Sequence, residues 1–112
     1  MRIPVLTGFI FFLMMQTASA DLREDLEICA TMNERSDVRL TACNSVFESG
    51  QQTGEALAET YFFRGQFFVK RNRWPRAIAD MSEAIRLKSN FPGAYFFGSS
   101  TFEVDSERYG QA

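Results

Sequence analysis

The chain contains no histidine. That removes the commonest general base, the commonest zinc ligand and every Ser-His or Cys-His arrangement. Glycine-rich phosphate loops are missing too, and no pair of carboxylates stands apart as acid and base. Glu24, Asp25 and Glu27 sit in one helical segment, and Glu103, Asp105 and Glu107 in another, both reading as exposed charge. A formal net charge of −2 gives nucleic acid no whole-molecule attraction. Enzymatic activity therefore has little to stand on, and neither a cofactor nor a metal ion is expected.

Cysteine is scarce as well: there are two, Cys29 and Cys43. Their spacing is not the Cys-x-x-Cys of a redox motif, and two thiols without histidine make a poor metal site. An even count in an exported chain favours a structural disulfide, with a thiol–disulfide redox protein using the same pair as the alternative. Export is read from residues 1–20. Met1 and Arg2 are followed by a nearly unbroken apolar run from Ile3 to Met15 and by Ala18-Ser19-Ala20, a secretory signal peptide with cleavage before Asp21. The run is too short for a bilayer-spanning helix, and no other segment is long and apolar enough to cross. The expected destination is the periplasm or the exterior.

What is present is helical periodicity. Asp21 to Glu24 reads as a helix start, and Leu22, Leu26, Cys29 and Met32 fall on one face. Ser36-Asp37 caps a second helix with an apolar face of Leu40, Cys43, Val46 and Phe47, ended by Gly50. The two cysteines stand equally far from Ser36, so an antiparallel hairpin sets them nearly level. Residues 21–54 thus form a disulfide-linked helical leader. From Glu55 to Arg71 a third helix is predicted, with Tyr61, Gly65 and Phe68 on one face. A turn at Asn72-Arg73 leads into a fourth, striped by Trp74, Ala77, Ile78, Met81, Ala84, Ile85 and Leu87. A fifth runs from Pro92 to about Val104.

The segment from 55 to 112 repeats itself. Tyr61-Phe62-Phe63 returns as Tyr95-Phe96-Phe97, Phe68 as Phe102 and Gly65 as Ser99, each 34 positions on. Arg73 to Ala77 is echoed by Arg108 to Ala112, which places a turn at the end of the second copy. A period of about 34 residues spanning two helices resembles the tetratricopeptide repeat. Tyr61, Gly65, Phe68, Ala77, Met81 and Ala84 match that pattern, while Ser89 stands where the family usually has proline. Together with Asp37, Cys43, Leu57-Ala58, Arg64-Gly65, Ala77 to Asp80 and Ala84 to Leu87, these residues are similar to small exported tetratricopeptide proteins of Gram-negative bacteria with a paired-cysteine leader. The resemblance implies an all-α fold of antiparallel helix hairpins, a short α-solenoid, with one full repeat at 58–91 and a truncated one at 92–112.

The same resemblance implies a function: an exported adaptor for protein–protein contact. Its concave partner groove would be lined by Glu59, Phe62, Gln66, Val69, Lys70, Phe96 and Ser100. Five basic residues, Arg64, Lys70, Arg71, Arg73 and Arg76, occupy the stretch between Glu59 and Asp80 without an acid among them. They read as a solvated turn, with Arg76 and Asp80 paired one helical step apart, rather than as a site for an acidic peptide or anionic lipid. Because the second copy reaches only Ala112, self-association or a protein partner over its C-terminal end is expected. The remaining alternative is a truncated repeat protein without independent function.

Overall fold

The computed structural model describes residues 21–31 and 37–109, and the regular structure among them is entirely helical. Five helices follow in order: α1 over residues 21–30, α2 Asp37–Ser49, α3 Gly54–Lys70, α4 Trp74–Leu87 and α5 Pro92–Tyr109. They pack sequentially as antiparallel neighbours. The α3–α4 contact is the most extensive, α5 lies along α4 and also reaches α3, and α2 covers the other side of α3. The fold is therefore all-α. The signal-peptide reading of 1–20, the Ser36 cap and positions 110–112 lie outside the described residues.

Local chemistry explains the boundaries. Gly50 adopts φ +65°, a left-handed conformation that costs glycine nothing, and its N–H donates to the Phe47 carbonyl as α2 ends. At the end of α3 the left-handed position belongs to Asn72, φ +58°. There the Arg73 N–H donates to the Phe68 carbonyl at 2.9 Å and the Asn72 N–H to Val69 at 3.1 Å. Those two bonds make a Schellman motif, which satisfies carbonyls that the helix end would otherwise leave open. Pro75 then enters the first turn of α4, where its missing N–H removes no intrahelical bond.

Three groups of buried apolar side chains run along the stack. Cys29, Ala42 and Cys43 join α1 to α2, with Ile28 and Phe63 against them. Phe67, Phe68 and Ala77 join α3 to α4. Met81, Ala84 and Ala94 join α4 to α5, flanked by Tyr61, Phe62, Ile85, Phe91 and Phe97. The tightest point is Gly65. A Cβ placed there would lie 2.9 Å from Met81 Cε and 3.2 Å from Asp80 Cβ, so α4 crosses α3 where α3 has no side chain.

Two expectations are corrected. The last helix does not end near Val104 but continues to Tyr109, through positions expected to form the second turn. No glycine or proline interrupts the sequence between Gly98 and Gly110, so nothing local stops it. Asp80, expected to pair with Arg76 on its own helix, faces Arg64 on α3 instead.

Candidate interaction surface

The α1–α2 pair closes around a cystine. Cys29 and Cys43 are disulfide-bonded with Cα atoms 4.8 Å apart, and both are buried. Beside them lies Arg39, whose side chain is 0% exposed. Its Nε donates to the Cys29 carbonyl at 2.9 Å and its Nη2 to the Phe63 carbonyl at 3.1 Å, so one guanidinium stitches α1, α2 and α3 together. Burial lowers the Arg39 pKa, because the charged form has lost its hydration. Nη1 is buried without a partner. Sequence reasoning overlooked this residue, although Arg39, Cys43 and Val46 are spaced i, i+4, i+7 on the inward face of α2.

A second polar latch joins α2, α3 and α4. Arg64 grips Asp80 through both nitrogens, Nε to Oδ2 at 2.9 Å and Nη2 to Oδ1 at 2.8 Å, while Nη1 donates to Asn44 Oδ1 at 3.1 Å. The guanidinium plane sits 4.2 Å from the Phe47 ring centroid. A hollow of about 320 Å³ adjoins this pair, lined also by Leu40, Phe68, Arg76 and Ala79. Arg64 and Asp80 pair with each other here, so the latch ties α3 to α4. Arg76 lies over the Phe68 ring at 5.7 Å. Arg71, in the same basic turn, reaches Asp37 at 3.7 Å and ties the end of α3 to the start of α2.

Surface apolarity concentrates on α5. Phe96 is 68% and Phe102 61% exposed, and Tyr95 and Val104 are exposed beside them. Ala94 and Thr101 are buried toward the rest of the stack, which fixes the rotation of the helix and turns its aromatics outward. Between α4 and α5 runs an open groove of about 360 Å³. Ile78, Met81 and Ile85 line it from α4, and Tyr95, Ser99 and Phe102 from α5. These three α5 positions stand 34 residues after Tyr61, Gly65 and Phe68. On α3 those positions meet α4; on α5 the same face is open.

The seven positions assigned to a partner groove fall into two sets. Glu59, Lys70, Phe96 and Ser100 are exposed. Phe62 and Val69 are half-buried and Gln66 is buried. Phe62 packs its ring 4.8 Å from that of Phe91 and 5.8 Å from that of Phe97, linking α3 to the start of α5. Gln66 Oε1 is buried without a hydrogen-bond partner. Among the described residues no cluster of cysteine, aspartate and glutamate is arranged to hold a metal ion. No helix among them is long and apolar enough to cross a membrane. The cystine points to an oxidising compartment. No protein-family model, curated protein or solved structure matches the chain.

Proposed function

We propose that this chain is an exported helical-repeat module of the tetratricopeptide type, acting as an adaptor that holds a segment of another protein against α5. The observation that carries the reading is the outward row of large apolar side chains on α5, with Phe96 the most exposed. Apolar side chains gathered on one helix face are the usual mark of a protein-binding surface. The 34-residue recurrence, the stacking of α5 on both α3 and α4, and the Gly65–Met81 crossing support the repeat assignment. Phe96 and Ser100 are the contact positions on α5, and Glu59 and Lys70 the exposed ones on α3.

Burial of both sulfurs supports a structural rather than a catalytic cystine, since disulfide exchange needs an accessible sulfur. A photo-crosslinking residue at position 96 is expected to capture a protein other than this chain. The same residue at Glu48, exposed on α2, is expected to capture none. Capture of nothing, or only of the chain itself, from position 96 would sink the adaptor reading. With the crosslinker moved to the exposed Ser100, Phe96→Ala should abolish capture while leaving the melting curve in place.

A further inference from the structure

We infer that the α4–α5 groove is the seat of a second copy of this chain, with the two α5 helices packed antiparallel about Gly98 and Ser99. Three features of α5 carry this. Tyr95, Ser99 and Phe102 lie along one open stripe at i, i+4 and i+7, the spacing of a helix-packing face. The stripe is self-complementary: it has small residues at its centre and one aromatic near each end. With Gly98 and Ser99 at the crossing point, Phe102 of one copy falls opposite Tyr95 of the other. Each aromatic then enters the partner groove beside Ile78 and Ile85. The small central pair lets the two backbones approach, as Gly65 does for α4 within the chain.

Charge sets the direction. The end of α5 carries Glu103, Asp105 and Glu107. The turn at its start carries Lys88, and no acid occurs between Glu83, which is paired with Arg86 at the end of α4, and Glu103. Parallel pairing would bring the acidic ends together. Antiparallel pairing lays Glu107 of one copy against the Asn90 region of the other, close to Lys88. Lys88 sits at the rim, its ammonium 4.9 Å from the Phe91 ring centroid. A twofold interface makes each such contact twice, once from each copy. Phe96 and Ser100 lie on the adjoining face of α5 and remain open, so the dimer takes Tyr95 and Phe102 from the apolar row and leaves Phe96 to the adaptor surface.

Sedimentation of the purified chain at micromolar concentration is expected to show a dimer, and Phe102→Glu a monomer of unchanged helical content. Ser99→Cys under mild oxidation should give a covalent dimer, whereas Thr41→Cys, exposed on α2, should not. Glu107→Lys should weaken the dimer by about tenfold, because two exposed contacts turn repulsive. Lys88→Glu in the same chain should restore it. A monomer at every concentration, or a dimer indifferent to both Phe102→Glu and Glu107→Lys, overturns the inference. Self-crosslinking of Phe102→Cys as well as Ser99→Cys would show parallel helices and overturn it equally. If Phe102→Glu fails to fold, the two cysteine variants decide.

Discussion

Three residues decide how these helices meet. Gly65 leaves the space that Met81 fills, and Gly65→Leu should lower stability by about 1–3 kcal/mol in a thermal melt, the usual cost of overpacking. An unchanged midpoint would show that α4 crosses α3 elsewhere. Arg39→Ala removes two charge-assisted hydrogen bonds, to the carbonyls of Cys29 and Phe63, each worth about 1.5–3 kcal/mol. Chemical denaturation should therefore show a loss of about 2–4 kcal/mol. Asp80→Ala leaves the Arg64 guanidinium without its carboxylate; with Arg64 partly exposed, a loss of about 2 kcal/mol is expected. Gly65 was legible from its place between aromatics at helical spacing. Arg39 was not, because periodicity assigns inward positions to apolar residues and Leu40 satisfied the pattern. The partner of Asp80 was missed for a related reason: spacing along one helix offers Arg76, whereas the pairing depends on which faces two helices turn to each other.

Helix by helix, the reading from sequence located all five elements. Gly50, Asn72 and Pro75 mark their boundaries through backbone preferences that need no tertiary context. The end of α5 was placed too early because the echo of Arg73 to Ala77 was taken to imply an echoed turn. A turn requires residues that break a helix, and Arg108-Tyr109 supplies none. The exposure of α5 was legible only in part: periodicity gives its apolar positions but not which of them another helix covers. At this scale the cystine is the testable element. Replacing both Cys29 and Cys43 by alanine should lower stability by about 3 kcal/mol, as expected for a loop of this length. Amide exchange should quicken selectively in residues 21–30. Equal acceleration throughout α3 and α4 would mean that the leader is integral to the whole core rather than pinned onto it.

Across the molecule, the two ends differ in kind. At one, α1 is fastened by a covalent bond and a buried guanidinium. At the other, α5 offers Tyr95, Phe96, Phe102 and Val104 to solvent. Burying such side chains is worth about 1.5–3 kcal/mol each, a large share of the total stability of a small domain. If a second copy covers Tyr95 and Phe102, the melting midpoint should rise with protein concentration, because association stabilises the folded state by mass action. A calorimetric series over a hundredfold dilution would show it, and a constant midpoint would speak against the dimer. Phe102→Glu should abolish the dependence while lowering the midpoint seen at high concentration.

Arg39 also sets an order of events. Its two hydrogen bonds reach back to Cys29 and forward to Phe63, so the second cannot form until the chain has been extended through α3. Until then its guanidinium is better off in water than between helices, and the early hairpin of α1 and α2 has reason to stay ajar. The α1–α2 hairpin thus closes only once α3 has been made, and its thiols stay within reach of an oxidant until then.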